Sequence, residues 1–161
     1  MIEANNVSKY FDGSQILYDV TAKFESGKTN LIIGQSGSGK TVFMKCLIGL
    51  HTPEQGEIFY DGRPFTKMSS SERKHLRTEI GMLFQGSALF DNETVLGNVM
   101  FPLKMFSSMS RKEQIERAKF CIQRVGLENA DEKYPSEISG GMQKRVAIAR
   151  ALVKLPNVLL L

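Results

Sequence analysis

Three features of the sequence predict an α/β fold. The apolar run "TNLIIG" (29–34) reads as a central strand, and it leads directly into a glycine-rich segment and then an apolar helix. The stretches "ILYDVTAKFE" and "GEIFYDG" carry β-branched and aromatic residues bounded by turn residues, as strands do. From Thr94 to Val125 the apolar residues recur at helical spacing instead. The organisation that follows is a sheet-containing core over 1–86, a helical insertion over 87–138, and a returning helix and strand over 139–161.

Taken in order, "IEANNVSKYF" and "ILYDVTAKFE" form two strands joined by the turn "DGSQ", and "ESGK" turns the chain into the 29–34 strand. The segment "TVFMKCLIGL" is apolar nearly all round, which predicts a buried helix bracketed at its end by Gly49 and Pro53. After "GEIFYDG", Ser69 with Glu72 three residues later forms a capping box and starts a short exposed helix. "IGMLFQ" (80–85) reads as another buried strand. Ser110 with Glu113 is a second capping box. Behind it, Ile115, Ala118, Ile122 and Val125 fall on one helix face, and Gly126 supplies the C-terminal cap. In "ISGGMQKRVAIARALVK", Met142, Val146, Ala149 and Leu152/Val153 line the apolar side of one more helix, with Lys144 and Arg145 on a solvated face.

Composition sets broad limits. The 161 residues are 42% hydrophobic, enough to fill a core, which excludes global disorder. The net charge is +4, but the basic residues are scattered among acidic ones and form no block, so nucleic acid is set aside as a partner. Cys46 and Cys121 sit in apolar surroundings, with no other ligand at metal spacing, and read as small buried hydrophobes. The N-terminus has no signal core and no run approaches membrane-spanning length, so the expected compartment is the cytoplasm. The end "LPNVLLL" reads as a strand beginning rather than a domain finishing, which predicts a fragment.

The chemistry begins at "GQSGSGKT", residues 34–41, where every fixed position of the P-loop pattern is met. Several backbone N–H groups must converge on phosphate oxygens, and only residues without Cβ atoms let the chain wrap that closely, hence Gly34, Gly37 and Gly39. The helix that follows offers a positive N-terminal end. Lys40 adds a full charge on a long arm, and Thr41 offers a hydroxyl to Mg²⁺. The fold class is then a P-loop NTPase (RecA-like) core with N-terminal antiparallel strands, a helical insertion, and the C-terminal part of the core missing. A second anion-receptive helix start lies at Ser139-Gly140-Gly141. One nucleotide rarely needs two such sites on one chain, whereas a dimer could use both.

"ISGGMQ" followed by "KRVAIARAL" resembles the signature motif of ABC-type ATPases, in the expected order after the P-loop. Gln85 in "IGMLFQ" resembles that family's Q-loop glutamine, and "LPNVLLL" resembles the strand leading to its Walker B acidic pair. Within the family, Met142 and "MLFQGSALFDNETVLGNVMFPL" resemble the ATPases of bacterial MCE-type phospholipid-trafficking systems. The resemblance implies an ATP-binding and ATP-hydrolysing subunit of a membrane transporter, for phospholipid or another hydrophobic substrate, peripheral on the inner face of the cell membrane. Phe11 would stack on adenine, helped by Tyr10, although an edge-strand aromatic is the plain alternative. Gly34, Gln35, Ser36, Gly37, Ser38, Gly39, Lys40, Thr41 and Val42 would hold the ATP phosphates. Thr41 and Gln85 would touch Mg²⁺, and Lys40 and Gln85 would be the catalytic residues. Ser139, Gly140, Gly141 and Gln143 would act in trans on the nucleotide of a second copy. Phe90 and residues 94–105 would face integral membrane permease subunits.

The family also places an aspartate, a glutamate and later a histidine beyond the point corresponding to Leu161. The expectation is therefore that the 161-residue chain alone is inactive and that the ATPase is its full-length parent. Two other readings stay open: a non-transport ABC-type protein, and a non-catalytic nucleotide-binding fragment.

Overall fold

A computed structural model describes every residue of the chain except 84 and 85. The chain parts into two compact units, Met1–Arg77 and Thr78–Leu161.

The first unit is built on an antiparallel sheet with strand order β2-β1-β3-β4. Strands β1 (Ile2–Phe11) and β2 (Ser14–Phe24) form a hairpin in register from Ile2 opposite Phe24 to Phe11 opposite Ser14. Asp12 and Gly13 both have positive φ, 48° and 78°, which gives this two-residue turn the twist a hairpin needs. β3 (Gln55–Tyr60) lies on the other side of β1, and β4 (Arg63–Pro64) pairs with β3 across the Asp61-Gly62 turn. Ile2, Ala4, Val7, Leu17 and Ile58 are buried on the sheet, and Phe43, Cys46 and Leu47 are buried on helix α1 (Lys40–Leu47). Helix α2 (Ser70–Thr78) follows Ser69, whose hydroxyl accepts from the Glu72 amide at 3.3 Å while its own amide donates to the Glu72 carboxylate at 2.7 Å, the expected capping box.

The expected strand over 29–34 is not formed. Residues 29–35 are irregular, and Leu31 and Ile33 are 82% and 80% exposed. A strand exists only through ladder bonds to neighbours, and among the described residues no strand pairs with this run. The Asn30 side chain bonds only locally, to the carbonyls of Glu25 and Lys28. Hydrophobicity alone marks these residues for burial but does not supply a partner.

The second unit is mainly helical. Helices α3 (Val95–Phe106), α4 (Arg111–Arg124) and α5 (Gly140–Leu152) pack around Val95, Val99, Leu103, Ala118, Ile122, Val146 and Ala149, all essentially fully buried. The expected face of α4 is the one used, with Ala118 and Ile122 buried and Ile115 and Val125 packed at the edge. The Ser110–Glu113 capping box is present. Two short parallel strands, β5 (Ile80–Met82) and β6 (Val158–Leu160), complete the unit. The strand expected over 80–85 is thus limited, among described residues, to its first three.

Candidate functional site

The glycine-rich loop folds onto itself. The Ser38 amide donates to the Gln35 carbonyl at 3.2 Å, and the Lys40 ammonium donates to the carbonyls of Gly34 (2.8 Å) and Gln35 (2.6 Å). A Cβ at Gly34 would meet Ser38 Oγ at 2.8 Å, so a larger residue there would force the Ser38 hydroxyl to turn away. Gly39 is the residue before α1, with φ 85°, and no side chain caps the helix. A Cβ there would come within 2.9 Å of Leu17 Cδ2. The first-turn amides of α1 therefore meet no side-chain acceptor, and no acidic residue sits in that turn to neutralise its positive end. Thr41 is exposed, while Val42 is half-buried and Phe43 buried, which seats the helix on the sheet.

Phe11, at the tip of the same unit's hairpin, is 38% exposed. Its ring receives the edge of His51 at 5.2 Å and the Lys9 ammonium at 5.0 Å. Lys9 in turn bonds the Glu54 carboxylate and the Thr52 carbonyl, and the Tyr10 amide donates to Glu54 Oε2 at 2.8 Å. The Lys9 hydrogen bond holds the Glu54 carboxyl below its usual range, assisted by Tyr10. Sequence reasoning assigns nothing to Lys9, His51 or Glu54. They are a support around Phe11 that only the β1–β3 pairing brings together. Cys46 is buried as expected, and burial pushes its thiol up to about 11.

In the second unit, Ser139 caps α5, its Oγ accepting from the Met142 amide at 3.2 Å. Gly140 and Gly141 follow, exposed, again with no acidic residue in the first turn. Gln143, expected to reach a second copy, donates from Nε2 to the Pro135 carbonyl at 2.9 Å. Lys144 is exposed as expected, but Arg145 is not a merely solvated residue. Its Nη1 donates to the carbonyls of Val125 (3.3 Å) and Gly126 (2.8 Å) at the end of α4. Arg117 of α4 answers by donating to the carbonyls of Val153 (2.9 Å) and Leu152 (3.4 Å) at the end of α5. Each helix thus caps the other's carbonyl end with a cation. Gln85 lies outside the described residues.

The loop of the first unit fits a nucleotide phosphate chain: glycines in the left-handed region at 37 and 39 (φ 79° and 85°), a helix start without a side-chain cap, and a lysine within one turn. For Mg²⁺ the described residues provide the Thr41 hydroxyl, and no group of three or more His, Cys, Asp or Glu among them could hold a metal ion. Among the described residues, no helix is long and apolar enough to cross a membrane.

Comparison with known proteins agrees with this geometry. A family model described as ABC transporter matches residues 17–161. The probable ribonucleotide transport ATP-binding protein mkl of Mycobacterium leprae is 41% identical over 159 residues, covering 99% of this chain and 46% of that protein. The methionine import ATP-binding protein MetN 1 of Bacillus thuringiensis is 40% identical over 164 residues, covering 99% and 48%. The chain spans about half the length of these curated relatives. Among solved structures, the ATP-binding cassette MJ0796, as a dimer bound to ADP and Pi, superposes with a TM-score of 0.89 at 34% identity, covering 99% of this chain and 72% of that one. The protein cbiO1 of Clostridium perfringens, part of the cbiONQ transporter complex, gives 0.85 at 29%, covering 99% and 64%. The fold is that of these cassettes, a mixed α/β P-loop core with antiparallel N-terminal strands.

Proposed function

The chain belongs to the ABC transporter family, and on that premise we propose that it is the ATP-binding, ATP-hydrolysing subunit of a membrane transporter. The observation that carries the reading is the uncapped start of α1 behind Gly39, with Lys40 folded over its own loop. Bound phosphate replaces the two carbonyls as the partner of the Lys40 ammonium. The exchange favours phosphate because a charge-assisted bond to an anion is stronger than one to a neutral carbonyl. Gly34 to Val42 hold the phosphates, and Phe11 stacks on adenine with its ring fixed by His51 and Lys9. Thr41 and Gln85 would hold Mg²⁺, which would supply neutralisation of the phosphate charge. Lys40 and Gln85 are the residues we assign to catalysis.

Ser139, Gly140 and Gly141 present the second helix start to the nucleotide of a second copy, and the dimeric form of MJ0796 supports such an assembly. Gln143 belongs to the same trans site, with its side chain oriented by the bond to the Pro135 carbonyl. Functionally the chain divides into nucleotide core (1–86), helical segment (87–138) and signature helix with following strand (139–161). Phe90 and the 94–105 stretch face the permease, which places the subunit at the inner face of the membrane. For the cargo we propose a phospholipid or another hydrophobic molecule, on the resemblance of Met142 and its neighbours to MCE-type ATPases. The names of the relatives, ribonucleotide transport and methionine import, set the competing choice of a polar solute.

Titration of the chain with Mg·ATP, followed calorimetrically, tests the core of this. Saturable binding that ADP competes away is expected; heats indistinguishable from buffer would refute it.

A further inference from the structure

Gly86, Ser87 and Ala88 are three consecutive residues with positive φ, 81°, 66° and 44°. Glycine adopts this freely, but serine and alanine each pay about 1 kcal/mol or more there, so the surroundings must hold them. Arg150, in the last turn of α5, supplies the hold. Its Nη2 donates to the Ser87 carbonyl at 2.8 Å and its Nη1 to the Ala88 carbonyl at 2.9 Å. The guanidinium lies 5.8 Å from the Phe90 ring centre, and burial draws its pKa down. The Ala88 amide closes the turn on the Gly86 carbonyl at 2.8 Å, and Ser87 is buried. Farther along, the fully buried Asn98 of α3 accepts from the Phe90 amide at 2.8 Å and donates to the carbonyls of Phe90, Glu93 and Thr94. The segment that follows Gln85 is therefore gripped at its start by α5 and at its end by α3.

We infer that Arg150 is a positioning residue: its guanidinium fork holds the 86–88 turn left-handed and so fixes the start of the 86–90 segment against the last turn of the signature helix. The inference rests on the reading above only in linking this segment to turnover; the clamp itself is independent of it. Lysine cannot replace the residue, since one ammonium on a flexible stem does not reproduce a rigid two-pronged donor.

The test is hydrogen exchange on the intact chain, wild type against Arg150→Lys. Protection of the amides at 87–91 is expected to fall about tenfold, with α1 and α5 changed by less than about twofold. Adding Ser87→Gly and Ala88→Gly should shrink the effect of Arg150→Lys, because glycine needs no clamp to stay left-handed. Unchanged protection, a loss spread evenly over the second unit, or an equal loss in the diglycine background would each overturn the clamp. In the assembled transporter, Arg150→Lys is expected to lower kcat for ATP about tenfold and leave KM within about twofold. A normal kcat beside lost protection would overturn the link between the clamp and turnover. An assembled wild-type transporter without ATPase activity would sink the proposed function while leaving the exchange result to decide the clamp.

Discussion

Helices α1 and α5 both begin without an acidic residue in the first turn, yet they treat their orphan amides in opposite ways. At α1 the preceding residue is Gly39, left-handed and without a side chain, and no side chain accepts from the helix. At α5 it is Ser139, extended, with its hydroxyl on the Met142 amide. α1 is eight residues long, and the run that leads into it is irregular and exposed. α5 is thirteen residues long, is buried along Val146, Ala147 and Ala149, and is capped at its far end by Arg117. The first start is left without a side-chain cap, which suits its proposed role of receiving an anion. The second is finished within the chain, which suits its proposed role of presenting a rigid platform to another copy. A binding loop and a presenting helix thus need different degrees of internal satisfaction, even with similar glycine-rich sequences.

The largest effect that would break this contrast is expected at Lys40. Lys40→Ala should weaken ATP binding about a hundredfold or more, since it deletes the only full positive charge within the cradle. Its effect on stability without nucleotide should be small, because the two carbonyls it releases are exposed and can bond water. Nucleotide titration beside urea unfolding separates the two. Loss of stability on the same scale as the loss of binding would mean the lysine is a structural tether, and that the open start of α1 is not open at all.

Ser139→Ala should act the other way round. Removing the cap hydroxyl leaves the Met142 amide unmet and should lower the stability of the second unit by about 1 kcal/mol. Binding of ATP by a single copy to its own cradle should stay the same, because that cradle lies wholly within residues 34–42 and Ser139 is assigned to the nucleotide of a second copy. Urea unfolding followed at α5, with ATP titration as the companion, checks both halves. A variant with unchanged stability would show that α5 does not need its cap.

Much of this was legible in the sequence where cause and effect are close along the chain. The P-loop glycines, the Ser139 cap and both capping boxes are complete within eight residues or fewer, so type and spacing suffice. The 29–34 run misleads because strand formation depends on partners that spacing cannot reveal, and Leu31 and Ile33 stay exposed. Arg145 misleads for the same reason, and nothing in the sequence singles out Arg77, Arg117 or Arg150. Arg77 donates to Ile48 and Gly49, Arg117 to Leu152 and Val153, Arg145 to Val125 and Gly126, and Arg150 to Ser87 and Ala88. Each closes carbonyls that lie 19 to 63 residues away along the chain, beyond the reach of spacing.

The smallest expected effect sharpens the same contrast at a third helix start. At α4 the Ser110 amide donates to Glu113 Oε2 at 2.7 Å, and the Ser110 hydroxyl accepts from the Glu113 amide at 3.4 Å. The Ser110 hydrogen bonds favour the ionised carboxylate and hold its pKa below the ordinary 4.5. The folded state therefore binds that proton less readily than the unfolded chain. Its contribution to stability is complete above the unfolded value and fades as pH falls through the lower folded one. Glu113→Gln keeps an oxygen to accept from Ser110 but cannot titrate. It should flatten the part of the acid-induced loss of α4 protection that belongs to this box, by much less than the Ser139→Ala effect. Glu72 at α2 is shifted the same way by Ser69 and serves as the internal control, since it stays titratable in the variant. If wild type and Glu113→Gln lose α4 protection in parallel from pH 5 to pH 3, a range of about two units around the ordinary carboxylate value, the box does not set the acid sensitivity of that helix. A start capped by its own carboxylate would then be no more pH-dependent than the serine-capped start of α5.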